Sequence, residues 1–176
     1  DRYKPLIGMV SRVAEQKGFD IFTEVFDEVI RMGFCFILLG CGEEAYHARL
    51  KEYESIYATQ VSINLKFDDR LARRIYAGSD FFLMPSMFEP CGLAQMIALR
   101  YGTLPIVRAT GGLKDTVWPY NEHTDEGNGF SFENYNAHDM LHTVRYALSI
   151  YQKKARMDSL RQHAMKQDLS FQKSAL

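Results

Sequence analysis

The chain has 176 residues, enough for one domain with a sizeable core. Apolar residues make up 47% and charged residues 24%, an ordinary globular balance. With 21 basic against 22 acidic side chains the net charge is −1, so no bulk field draws in nucleic acid or an anionic membrane, and any anion site must be local.

No apolar run approaches the roughly 20 residues that span a bilayer, and no secretory leader is visible. The opening "DRYKPLIGMV" runs straight into a strand, so the chain reads as a piece of something longer. Cys35, Cys41 and Cys91 are odd in number and lack zinc-type spacing, which points to a reducing, cytoplasmic compartment.

Taken in order, "PLIGMV" (5–10) predicts a buried strand. After a polar loop, Ile21, Phe22, Val25, Phe26, Val29 and Ile30 mark one helical face, closed by Gly33. "FCFILLG" (34–40) predicts the second strand, a helix follows over about 43–57, and "VSINLKF" (61–67) predicts the third strand. Leu71, Ala72, Ile75 and Tyr76 line an amphipathic helix that Gly78 closes. "DFFLMP" (80–85), a helix over 92–101 and "TLPIV" (103–107) continue the series. Beyond Gly112 the pattern loosens: "WPYNEHTDEGNG" reads as a loop anchored by Trp118, and "GFSF" as a short strand. Asn136 is placed to cap a helix along Met140, Leu141, Val144, Ala147, Leu148 and Tyr151. A last helix is expected over roughly 156–166, and "DLSFQKSAL" begins a further element.

Strands alternating with helices of this length predict an α/β fold, a doubly wound, Rossmann-like parallel sheet with helices on both faces. Right-handed crossovers put every strand-to-helix loop at one sheet edge, where ligands bind in such folds. Loops 11–18, 40–44, 85–92 and 108–113 therefore hold the candidate site. The chain divides into an α/β domain over 1–155 and a helical segment over 156–176.

In "SRVAEQKG", Arg12 and Lys17 flank a helix start, and two cations with orphan helix amides suit a diphosphate; solvated loop charges are the plainer alternative. In "ATGGLKD", Gly111 and Gly112 let backbone amides approach an anion, or form a tight turn with nothing bound; Arg108 and Lys114 read as surface charges. "FEPCGL" is more specific. Pro90 stiffens the turn, and Gly92 leaves the helix start open. Glu89 can grip paired hydroxyls, and because a carboxylate repels phosphate it faces sugar. Cys91 is either a reactive thiolate at a helix N-terminus or, the preferred reading, a small packed residue whose backbone matters more than its sulfur.

"GCGEEA" (40–45) matches a dinucleotide fingerprint, with Asp68 a plausible ribose ligand. Glu43 and Glu44 would then sit where the pyrophosphate docks, and each like-charge contact at about 4 Å costs on the order of 1–4 kcal/mol. They suit the first turn of a helix with nothing bound. His138 and His142 are one turn apart but have no carboxylate cluster, so they read as a solvated face rather than a metal site.

With these loops in hand, the chain resembles the nucleotide-sugar-binding half of bacterial and plastid-type glycogen and starch synthases. "SRVAEQKGFD", "LLGCGEE", "MPSMFEPCGLAQMIALRYGTLPIVRATGGLKDTV" and "GNGFSFENYN" carry the resemblance, in the family's order. It implies the C-terminal domain of a two-domain GT-B fold that holds ADP-glucose. The family transfers glucose, with retention and with no metal or cofactor, to the non-reducing end of an α-1,4-glucan. The partners implied are ADP-glucose or ADP and, through an N-terminal domain, the glucan; nucleic acid and membrane are not among them. A bacterial cytoplasm or a plastid stroma is the implied compartment.

Among catalytic positions, Arg12 and Lys17 match the pair that neutralises the departing diphosphate, and Glu89 matches the acid that holds glucose hydroxyls. For the nucleotide sugar, Cys91, Gly92 and Leu93 match one donor-contacting turn, and Thr110 with Gly111 match the second. Phe67 falls where the family places an aromatic residue, commonly Tyr, against the base. Two departures stand out. Ile97 occupies the place of a second Glu found in many related transferases, as in the bacterial and plastid branch, and Ala94 replaces the usual Ser, Thr or Asn. Another GT-B transferase using a different nucleotide sugar, or a dinucleotide-binding domain, is the alternative.

Overall fold

A computed structural model describes residues 4–167. Its strands are β1 (Leu6–Val10), β2 (Cys35–Leu39), β3 (Val61–Asn64), β4 (Phe81–Met84), β5 (Leu104–Arg108) and β6 (Phe130–Phe132). They form a six-stranded sheet in the order β3-β2-β1-β4-β5-β6, with every pair parallel. The doubly wound sheet expected from the alternation is therefore present.

The helices are α1 (Phe19–Glu24), α2 (Phe26–Arg31), α3 (Glu44–Ile56), α4 (Asp69–Gly78), α5 (Ala94–Tyr101), α6 (Gly111–Thr116), α7 (Ala137–Tyr151) and α8 (Lys154–Lys166). Successive strand side chains point to opposite faces, and both faces are covered. Ile7, Met9, Phe81 and Leu83 join the larger core with α1, α2 and α7. Phe82 packs on the other face with Leu39 and with Ile75, Tyr76 and Ala98 of α4 and α5. The larger core is aromatic: Phe26 stacks on Tyr53 with centroids 4.2 Å apart and meets both Phe22 and Phe36 edge-on. Each fully buried Phe contributes about 1.5–3 kcal/mol relative to an exposed one, so this side of the sheet is a stiff floor beneath the loops.

Several local expectations are corrected. The single helix expected along Ile21–Ile30 is two, broken at Val25 with φ −118° and ψ 14°. The Thr23 hydroxyl donates back to the Phe19 carbonyl at 2.8 Å, competing with the helical ladder just before the break. The third strand ends at Asn64, three residues earlier than the hydrophobic pattern implies. Gly111–Thr116 forms a short helix where only a turn was expected, because six residues are too few to show a period.

Trp118 is not the anchor of the following loop: it is 53% exposed, while Val117 and Tyr120 are buried. The loop is ordered by Asn128, which is buried; its side chain accepts from the Trp118 amide at 2.7 Å and donates to the Thr116 carbonyl at 2.9 Å. Asn136 caps α7 as expected, accepting from Asp139 N at 2.8 Å. Helix α8 packs on α5 and α7. The element expected in "DLSFQKSAL" lies outside the described residues.

Candidate functional site

Strand order reverses between β1 and β4, whose register pairs Ile7 with Phe81 and Gly8 with Phe82. The loops leaving these two strands diverge to opposite faces and leave a crevice at their carboxyl ends. They are tied together across it, since Met87 N donates to the Gln16 carbonyl at 2.9 Å. Lys17 from the first loop forms an ion pair with Glu89 from the second, and these side chains are only 22% and 12% exposed. The buried Ser86 hydroxyl lies 3.5 Å from the same carboxylate oxygen. Among the described residues Arg12 has no carboxylate partner; its guanidinium donates to Gln16 Oε1 at 3.0 Å. Arg12, Lys17, Ser86, Glu89, Gly92 and Leu93 line one charged cavity of about 200 Å³. Helix α5 starts at its rim without a side-chain cap, so its first amides are left for another acceptor.

Lys17 is expected at phosphate and Glu89 at sugar, as separate duties. In the structure they hold each other.

A second cavity, of about 510 Å³ and mainly apolar, adjoins the first. Leu39, Gly40, Phe67, Asp68 and Ala72 wall it, and Val10, Ser11 and Arg12 border both cavities. Phe67 stands at its rim, 86% exposed, because β3 has already ended. Asp68 caps α4, accepting from Leu71 N at 2.9 Å and from Lys66 Nζ at 2.8 Å. Lys66 first, then the Leu71 amide, hold its carboxyl below the usual carboxylate range.

That geometry removes the dinucleotide fingerprint. Gly40 and Gly42 serve a loop-to-loop seam rather than a pyrophosphate: Val13 N donates to the Cys41 carbonyl at 3.0 Å, and Glu43 N to the Val13 carbonyl at 2.8 Å. A Cβ at Gly40 would lie 1.7 Å from Ser11 O, so only glycine lets these loops meet.

The two glycine turns flagged in sequence are also in contact. Gly112 N donates to the carbonyls of Glu89 and Pro90, each at 3.1 Å, and is therefore not offered to an anion. Gly111 lies against the Glu89 carbonyl. Cys91, Thr110 and Gly111 do not line the charged cavity; Gly111 packs behind its Glu89 wall. Cys91 is exposed rather than packed; its carbonyl, not its sulfur, makes the contact.

Two groups escaped the sequence reading. Gln95 is fully buried on α5 and donates to the carbonyls of Cys91 (3.2 Å) and Gly92 (2.9 Å) and to the Thr116 hydroxyl (3.0 Å), locking the turn to α6. A polar residue on an otherwise apolar helical face was the available signal. Arg108 is not a free surface charge: it donates to the Met87 carbonyl and lies 5.4 Å from the Tyr135 ring centroid. Tyr135 in turn donates to the Asp20 carboxylate. Burial, then the hydrogen bond to Asp20, push its phenol well above the ordinary value. Together these residues brace the outer wall of the crevice.

His138 and His142 are exposed on α7. Among the described residues, no group of three or more His, Cys, Asp or Glu could hold a metal, and no helix is long and apolar enough to cross a membrane.

The family model described as "Glycosyl transferases group 1" matches residues 1–163, and the chain belongs to that family. It is 49% identical over 175 residues to a glycogen synthase of Clostridium beijerinckii and 52% identical over 171 residues to one of Geobacillus thermodenitrificans. These matches cover 99% and 97% of the chain but only 36% and 35% of the relatives' length. A solved structure, the catalytic domain of starch synthase IV from Arabidopsis thaliana bound to ADP and acarbose, superposes with a TM-score of 0.84 at 36% identity. That superposition covers 98% of this chain and 36% of the other. The resemblance read from the edge loops is borne out at the level of family and fold.

Proposed function

We propose that the chain is the donor-binding part of a glycogen or starch synthase of the GT-B type. The whole enzyme transfers glucose from ADP-glucose to the non-reducing end of an α-1,4-glucan with retention. The observation that carries this reading is the convergence of Arg12, Lys17 and Glu89, from two different loops, in one cavity at the switch point. The adjoining apolar cavity suits a nucleobase, with Phe67 available for stacking and Arg12 at the junction where a diphosphate would lie. The solved relative bound to ADP and acarbose supports a nucleotide in this crevice.

As the glucose–phosphate bond breaks, negative charge accumulates on the leaving diphosphate, and cations already in place there lower the barrier without reorganising. Arg12 and Lys17 supply that charge, the start of α5 adds its dipole, and Glu89 accepts hydrogen bonds from sugar hydroxyls. The turn of Cys91, Gly92 and Leu93 and the turn of Thr110 and Gly111 shape the donor's surroundings. The glucan acceptor belongs to sequence that the relatives carry beyond this segment, in a soluble, cytoplasmic enzyme.

Calorimetry of the chain with ADP, UDP and NAD tests the reading. ADP binding that Arg12→Ala abolishes is expected; NAD bound in preference to ADP would overturn it in favour of a dinucleotide domain. A preference for UDP would move it to another transferase of the same fold.

A further inference from the structure

Resting on the donor-site reading above, we propose that Glu89 is a product-ejecting latch, which discriminates ADP-glucose from ADP by competing with the nucleotide for Lys17. Lys17 is paired with Glu89 in a cavity where both side chains are largely enclosed. Ser86 flanks the same carboxylate oxygen, so Glu89 is held facing the cavity. Arg12, whose guanidinium among the described residues bonds to the neutral Gln16 amide, stays available to phosphate whichever ligand is present.

The two ligands meet this pair differently. In ADP-glucose the β-phosphate is substituted twice, by the anhydride to the α-phosphate and the ester to the hexose, so it carries a single negative charge, and the hexose beside it brings hydroxyl donors. Those hydroxyls satisfy Glu89, and Lys17 is released to the diphosphate. In ADP the terminal phosphate is linked only through the anhydride, with more negative charge near neutral pH and no sugar hydroxyl to offer. Taking Lys17 then leaves an enclosed carboxylate unpaired and facing an anion, which is unfavourable on both counts. Once the sugar has been transferred, Glu89 therefore regains Lys17 and its charge opposes retention of ADP. The same carboxylate favours substrate binding and product departure.

The test is titration of the chain with ADP and with ADP-glucose, using Glu89→Gln, Lys17→Gln and the double variant. Glu89→Gln should tighten ADP by roughly three- to tenfold, the range expected for freeing one partly buried ion pair, while weakening ADP-glucose. In the Lys17→Gln background the tightening of ADP should shrink, because the competition is gone. In the unaltered protein, the ¹⁵N signal of the Lys17 ammonium should shift more with ADP-glucose than with ADP, a readout that needs no variant to fold. Unchanged or weakened ADP binding in Glu89→Gln, or equal Lys17 shifts with the two ligands, would overturn the latch and leave the donor site standing. Failure of the unaltered protein to bind ADP at all would overturn the donor site and the latch with it.

Discussion

Gly112 and Cys91 meet backbone to backbone, so closely that a Cβ on Gly112 would lie 1.9 Å from the Cys91 carbonyl oxygen. The Glu-Pro-Cys-Gly turn and the twin-glycine turn are thus one packed unit. Gly112→Ala must push the turns apart and should destabilise the protein by about 1–3 kcal/mol, as overpacking does. Thermal unfolding checks this, and an unchanged midpoint would show that the contact yields without cost.

Gln95 ties the same unit from beneath. Gln95→Leu keeps the volume but leaves the Cys91 and Gly92 carbonyls without their donor. A loss of about 1–3 kcal/mol is expected, together with faster amide hydrogen exchange across Cys91–Leu93 than in the rest of the sheet edge. Uniform exchange would mean that the turn is held by other contacts.

The chain spans only 36% of the length of its Clostridium beijerinckii relative, so turnover under the proposed function is measured in a chimera carrying the remaining sequence of that relative. Arg12→Ala or Lys17→Ala should each lower kcat by on the order of a hundredfold or more, the scale of losing a preplaced charge at a developing anion. Full activity in either variant refutes its assigned role.

Acid stability has a specific contributor away from the site. Glu54 accepts from Lys51 Nζ and from Ile63 N, both at 2.7 Å, and Lys51 first, then that amide, lower its carboxyl below the ordinary value. A carboxylate depressed in the folded state stabilises above its unfolded value of about 4.3, and that stability is lost as pH falls through the lower folded value. Glu54→Gln should therefore lower the midpoint at pH 7 and flatten its decline below about pH 4.5. A decline as steep as in the unaltered protein would place the effect elsewhere.

Much of this was legible in the residues. The sheet was readable because buried parallel strands give short apolar runs, and the Arg12–Lys17 loop and the Glu89 turn stood out because topology puts them on one edge. What escaped depends on three-dimensional contact. The Lys17–Glu89 pair joins positions 72 residues apart, and no local pattern announces it. Gln95 and Arg108 looked like ordinary helix and loop polars until their partners, on other elements, were in place. Gly40 and Gly42 match a dinucleotide fingerprint that Glu43 and Glu44 already argue against; a glycine needed for close packing between loops carries the same letters as one needed for a phosphate.

The placement of β1 bears on how the polypeptide acquires its cup. Leu6–Val10 lies in the middle of the sheet, and its partner on the site side, Phe81–Met84, arrives some seventy residues later. Tyr135 reaches back 115 residues to Asp20 to brace the wall. Such distant closures come late in folding, since they lose chain entropy before local contacts repay it. A growing chain that has completed only β1, β2 and β3 is a half-sheet with an open flank, competent to bury Phe22 and Phe36 but without the crevice between β1 and β4.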